Sequence, residues 1–224
     1  MISAEELTGA ALWARVLPAD ELERARRGIV VRAYARGAYL CHRGDVLDGW
    51  TGVMSGLLKL GSTLSTGKSV TYAGLAPGMW FGEGSLLKNE PRRYEVIALR
   101  ESRIAIMNRR TFDWLTLHSV AFNGFLVRQF NERLGQFIAL VEHDRTLEAV
   151  SRTARNVAWL VNPALTAMDV SRIEISQEEL ALLCGLSRQA TNGALKKLEA
   201  ERLLVVERSG LRILDRASLS THGD

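Results

Sequence analysis

The segment from Ser176 to Leu204, SQEELALLCGLSRQATNGALKKLEAERLL, constrains this chain more than any other. Ser176 followed three residues later by Glu179 is a capping box, in which hydroxyl and carboxylate take up amide protons that a helix start leaves without partners. Gly185 stands where a turn of three or four residues needs an open backbone conformation, and Ser187 is placed to cap a second helix running to about Ala200. Between and beyond the caps, Leu180, Ala181, Cys184, Leu186, Thr191, Ala194, Leu195 and Leu198 recur at the spacing that packs two crossed helices, and Ala181 is small enough for close approach. A β hairpin is expected next, because LLVVERSGLRILD holds two β-type runs around the turn pair Ser209-Gly210.

The opposite face of the second helix offers Arg188, Gln189, Asn192 and Lys196, with Ser187 at its start. Arginine and lysine neutralise phosphates or read guanine, while glutamine and asparagine make paired hydrogen bonds to the major-groove edge of adenine. A helical hairpin with an ordinary solvated face would share the charge, but not the agreement of cap, glycine, apolar template and hairpin. These five residues are therefore the candidate DNA contacts. Glu178 and Glu179 stabilise the positive end of the helix dipole and are no catalytic pair. No motif brings together dyads such as Glu83 with His118, so an enzyme is not expected.

Upstream, the pattern changes twice. From about Val30 to Ile106, short β-type runs cut by glycines (GVMSGLLKLG, SVTYAGLAPGMWFGEG, YEVIALRESRIAIM) predict an antiparallel roll of the jelly-roll kind. Helical spacing in SAEELTGAALWARVLPADELERARRGIV, interrupted at Pro18, predicts small helices against that roll. From Thr111 to about Asp144 the period becomes helical: Val127, Phe130, Leu134, Phe137 and Val141 step by three, four, three and four residues. Two readings compete here, the seam of a helix pair in a dimer and a stripe laid on the helix's own domain. The narrowness of the stripe beside Asn131, Glu132 and Gln136 favours the seam. The expected class is α+β: a roll over 1–118, a long dimerisation helix over 119–145, and a winged helix-turn-helix over 146–224, with Asn162-Pro163 a loop inside the last.

A chain of 224 residues has room for one large or two small cores. Its apolar runs are too short to cross a bilayer, and MISAEELTGA carries acids where a signal peptide carries cations, so a cytoplasmic protein with no membrane partner is expected. The net charge of +4 comes from 29 cations and 25 acids spread along the chain, which allows a polyanionic partner without requiring one. Cys41 and Cys184 are too isolated for a disulfide framework, zinc or an iron-sulfur cluster, and His118, His143 and His222 have no metal spacing. Cys41-His42 has the donor types for haem iron, but such a pair at a strand end reads better as a buried thiol beside an exposed imidazole.

The order of parts resembles the catabolite activator and fumarate-nitrate regulator (CRP/FNR) family of bacterial transcription factors. ISQEELALLCGLSRQATNGALKKLEAERLL and FGEGSLLKNEPRR carry the resemblance, which extends over nearly the whole chain. It implies a homodimer paired through the long helix, one winged helix-turn-helix on each half of a two-fold-related double-stranded operator, and RNA polymerase as a protein partner. Arg188 falls on the family's DNA-contacting arginine. Gln189 stands where many members place a glutamate, and Gly193 where many place a second arginine. An amide donates as well as accepts, and glycine contributes no side chain, so the family's usual half-site does not carry over. The alternative in a different class is a nucleotide-binding regulatory module acting on a protein partner.

The resemblance also gives FGEGSLLKNEPRRYEVIAL a meaning. In relatives that bind a cyclic nucleotide, a Gly-Glu pair holds the ribose and a later arginine clamps the phosphate. Gly82 and Glu83 match the pair, with Ser85 close by, and Arg92 after Pro91 matches the clamp. The departures are Arg93 in place of a small residue, the bulkier Tyr94 and acidic Glu95 after it, and Phe137 and Ile138 near the positions whose hydroxyls hold the adenine amino group. Cyclic AMP in the family's usual mode is therefore not expected. The open readings are a different cyclic nucleotide or small anion on Gly82, Glu83, Ser85, Arg92 and Arg93, or a roll without ligand. In the last, Glu83, Arg92 and Arg93 form surface ion pairs of little energetic weight.

Overall fold

The Gly-cut runs become eight strands in a computed structural model that describes residues 2–63, 66–67 and 69–223. β1 (Ile29–Tyr34), β8 (Ser102–Asn108), β3 (Gly49–Ser55) and β6 (Trp80–Phe81) lie side by side in one antiparallel sheet. The second sheet has the order β2 (Tyr39–Cys41), β7 (Glu95–Ala98), β4 (Leu58–Thr63) and β5 (Ser69–Leu75), also antiparallel. Alternation along the strands sends Val53, Leu58, Val96 and Ile104 into the space between the sheets, where each is fully buried.

Two α-helices open the chain, α1 (Ala4–Ala10) and α2 (Ala19–Arg27), with a 3-10 turn at Leu12–Arg15 between them and Pro18 capping α2. The turn plants Trp13 in an aromatic cluster, its ring centroid 5.5 Å from Trp50, 5.0 Å from Trp80 and 5.9 Å from Phe122. Tilted and edge-on pairs of this kind add about 0.5–1.5 kcal/mol each beyond area burial. The cluster fixes the start of the long helix on the roll, because Phe122 is its fourth ring.

The helical stretch beyond the roll is divided. α3 is the short helix Glu83–Lys88, α4 spans Arg109–His118, and α5 runs from Val120 to Thr146. Ser119 separates α4 from α5; it is buried and its hydroxyl accepts from the Phe122 amide at 3.1 Å, which is why a new helix starts there. α6 (Ala149–Leu160) follows and ends ahead of the loop at Asn162-Pro163. α7 (Gln177–Cys184) and α8 (Arg188–Ala200) pack on it, followed by β10 (Leu204–Glu207), β11 (Gly210–Ile213) and α9 (Arg216–Thr221). β9 (Arg172–Ile173) completes a three-stranded wing with β10 and β11. The hairpin turn sits one residue earlier than the sequence suggests, at Arg208 and Ser209, because Gly210 already pairs with Glu207.

One apolar core joins the two ends of the chain. Leu75 and Phe81 of the roll belong to the same buried cluster as Leu160 of α6, Leu183 of α7 and Leu195 of α8. Among the described residues no helix is long and apolar enough to cross a membrane.

Candidate functional site

The C-terminal helix pair is built by its caps. Ser176 accepts from the Glu179 amide at 3.2 Å and Glu179 accepts from the Ser176 amide at 2.8 Å, a reciprocal arrangement that stabilises a helix start by about 0.5–2 kcal/mol. Gly185 closes α7 with φ at +63°, a conformation that costs residues with a β carbon and not glycine. Ser187 then accepts from the Ala190 amide at 3.1 Å and opens α8. Leu180, Ala181, Cys184, Thr191, Ala194, Leu195 and Leu198 are buried between the helices, and Leu186 is half-buried. Burial pushes the Cys184 thiol up to about 12, which leaves it an inert apolar filler.

That packing turns the other side of α8 outward. Ser187, Arg188, Gln189 and Lys196 are exposed and Asn192 is half-buried. Gly193 is exposed too, and an added β carbon there would meet only open space. The five candidate DNA contacts thus share one solvent-facing surface at the start and along one side of the helix.

Glu179 has a second task. Arg100, at the turn between β7 and β8, donates to both its carboxylate oxygens at 2.9 and 2.7 Å, tying the start of α7 to the roll. Burial pushes the Glu179 carboxyl up, but the Arg100 and Ser176 hydrogen bonds outweigh it and hold the group below its ordinary value. A depressed carboxylate contributes stability above its ordinary titration range and loses it as pH falls through the folded-state value. Arg100→Ala is accordingly expected to lower stability by about 1–3 kcal/mol near neutrality. The deficit should shrink in urea titrations near pH 3. An equal deficit at both pH values would count against the pairing.

The cradle residues separate into two groups. Arg92 is only 2% exposed and faces inward. Its Nη1 donates to the Gly82 carbonyl at 2.7 Å and to the Tyr94 hydroxyl at 3.2 Å, and its Nη2 to the Gly49 carbonyl at 3.3 Å. Gly82, with φ at +95°, leaves room for that guanidinium against its own main chain. Glu83 is buried as well, accepting from Trp50 Nε1 at 3.1 Å and pairing with Arg133 of α5, which also donates to the Trp80 carbonyl. Surface ion pairs for Glu83 and Arg92 are thus not what forms: one bridges the roll to the long helix, the other holds main-chain carbonyls. Arg93 alone is exposed, in an ion pair with Glu90 at 2.8 Å.

Beside these groups lies a cavity of about 560 Å³ whose walls come from the roll, α5 and α6. Gly82, Glu83, Ser85 and Arg93 line it, and Arg92 does not. Leu75, Phe81, Phe137, Trp159 and Leu160 give it an apolar lining. Arg133 was not legible in advance as part of this site, since only the fold brings it to Glu83. Along the exposed side of α5, Val127 is 67% exposed and Leu134 59%, with Phe130, Phe137 and Val141 exposed beside them and Ile138 continuing the stripe. Phe130, Leu134 and Phe137 also line the cavity, so part of the stripe faces the roll and α6, while Val127, Ile138 and Val141 stand in the open. Cys41 is buried beside an exposed His42, and no group of three metal-ligating side chains occurs among the described residues.

Comparison with known proteins divides the chain in the same way. Residues 31–119 match the cyclic nucleotide-binding domain, and residues 151–221 match the Crp-like helix-turn-helix domain. The transcriptional regulator LdrP of Thermus thermophilus is 28% identical over 191 residues, which cover 84% of this chain and 94% of that protein. The cyclic AMP receptor protein of Thermus thermophilus is 28% identical over 205 residues, 87% of this chain and 88% of the relative. A CRP-family transcriptional regulator from the same organism has a crystal structure that is 25% identical, with a TM-score of 0.60 over 84% of this chain and 94% of that one. None of these matches supports a module that acts on a protein partner in place of DNA. The roll, the long helix and the winged helix-turn-helix, in that order and with these relatives, make the chain a DNA-binding transcription regulator of the CRP/FNR family.

Proposed function

We propose that the protein is a homodimer paired through α5, that α8 reads a two-fold-related operator in the bacterial cytoplasm, and that a small ligand in the cavity gates it. The domain limits remain those expected, a sensing roll over 1–118, a dimerisation helix over 119–145 and a reading domain over 146–224. The observation that carries the reading is the pairing of two exposed faces: an apolar stripe on α5 and a polar, solvent-facing surface on α8. Two such α8 helices must enter successive major grooves about 34 Å apart, so a modest rotation about the α5 seam switches affinity. An occupant of the cavity touches the roll, α5 and α6 at once, which gives it a handle on that rotation. RNA polymerase is then the machine whose access the bound regulator changes.

In α8, Arg188 binds guanine or phosphate, and Gln189 and Asn192 favour a step containing adenine, with Lys196 and Ser187 on the backbone. Binding to duplex DNA should fall steeply with added salt. Arg188→Ala is expected to weaken operator binding and Gln189→Ala to relax base choice, each by about 1–3 kcal/mol. Gel-shift titrations on a selected operator and on its single-base variants measure both; unchanged affinity and base preference in the two variants would rule out this face.

A further inference from the structure

We infer that the cavity between the roll, α5 and α6 takes an apolar carboxylic acid rather than a cyclic nucleotide; this rests on the gated-dimer reading above. Two observations weigh against a sugar phosphate. The arginine at the clamp position, Arg92, is turned away from the cavity onto the Gly82 and Gly49 carbonyls, and the Glu83 carboxylate is already taken by Arg133 and Trp50 Nε1. As placed, Arg92 does not line the cavity and so offers no clamp for a phosphate, and the charge of Glu83 is committed to Arg133 although its oxygens keep lone pairs beyond these two bonds.

What the cavity does offer is an apolar wall with a few polar donors. Gln136 lines it, and the Gln136 Nε2 is buried with no hydrogen-bond acceptor among the described residues. Tyr94 also lines it, and its hydroxyl receives the Arg92 bond, so its own proton is left for an acceptor. Burial pushes the Tyr94 hydroxyl up, keeping that proton in place. A buried donor without an acceptor costs about 1–3 kcal/mol, which an occupant with acceptor oxygens recovers once the Gln136 amide turns its enclosed Nε2 toward the cavity.

Charge at the lining selects the sign of the head group. Lys88, Arg93 and Arg133 stand against Glu83 and Glu90, and the acids are matched to Arg133 and Arg93, leaving Lys88 as the cation in excess. One surplus positive charge suits a monoanion, and since a cyclic phosphodiester carries a single charge as a carboxylate does, the choice between them falls to the turned-away Arg92 and the apolar lining. The volume of about 560 Å³ lies in the range of small-molecule sites, and its lining residues Leu75, Phe81, Trp159 and Leu160 suit an aliphatic or aromatic body. Trp159 and Leu160 belong to α6, so the body of the ligand presses on the segment that carries the reading helices.

Calorimetric titration of the full chain with decanoate and with 2-naphthoate tests this, beside decanol, decylamine and cyclic AMP. Saturable heat is expected for at least one carboxylate, about tenfold weaker binding for decanol, and none for decylamine or cyclic AMP. Gln136→Leu and Tyr94→Phe should each weaken the carboxylate about three- to tenfold, and Lys88→Glu should remove the preference for it over decanol. Saturable heat from neither carboxylate, equal binding of decylamine, unaltered affinity in all three variants, or tight cyclic AMP binding would overturn the inference. Sedimentation and gel shifts on the same preparations separate the two levels. A dimer that binds DNA yet ignores carboxylates refutes only the ligand class, whereas a monomer without DNA affinity refutes the reading beneath it.

Discussion

Replacing Arg92 with alanine is expected to lower the free energy of unfolding by about 2–5 kcal/mol, read as a shift of the urea midpoint. The side chain is enclosed, and its removal strips donors from the Gly82 and Gly49 carbonyls and from the Tyr94 hydroxyl while leaving a void between the roll's loops. Arg92→Lys should recover only part of the loss, because an ammonium cannot reproduce the fork that reaches two carbonyls. Arg93→Ala provides the contrast: its partner Glu90 lies three residues away at the surface, and the change should stay within about 0.5 kcal/mol. Two adjacent arginines would then differ severalfold in their effect. A loss below about 0.5 kcal/mol for Arg92→Ala would mean that the inward geometry is not the one adopted in solution.

The second large effect is expected at the exposed stripe of α5. Lysine at Leu134 and Val141, one heptad apart, should convert a dimer to monomers in sedimentation equilibrium, because a two-fold interface sets each new charge against its own copy. Both positions already face solvent in the single chain, so the protomer itself should keep its unfolding midpoint. Operator affinity should drop by about 10²–10⁴, the loss of joining two half-site contacts into one event. A double variant that still sediments as a dimer would move the interface elsewhere on the molecule.

Parts of this architecture were legible in the sequence for physical reasons that can be traced. The capping box at Ser176 and Glu179, the turn at Gly185 and the cap at Ser187 are local chemistry, set by residues three or four apart, and each forms as its spacing implies. The alternation of apolar residues with glycine cuts marks the strands for the same reason, since a strand shows its two faces in a period of two. What could not be read depends on residues distant in the chain. Nothing local distinguishes Arg92 from Arg93, and Arg133, set among polar neighbours on α5, acquires its partner Glu83 only when the helix docks on the roll. The same holds for Arg100, whose partner Glu179 already had a local role as a cap, and for Trp13, Trp50 and Trp80, whose packing no periodicity announces. Gln136 read as solvated flank, and its unsatisfied amide appears only once the cavity exists.

The core that Leu75 and Phe81 share with Leu160, Leu183 and Leu195 bears on how such a protein can be taken apart. A cut between α5 and α6 would free two fragments, each carrying a raw apolar face that water must then cover. The roll and the helix-turn-helix are in that respect not modules joined by a tether but two parts sharing one buried core, so under the gated reading proposed above a shift in one would have to be met by repacking in the other.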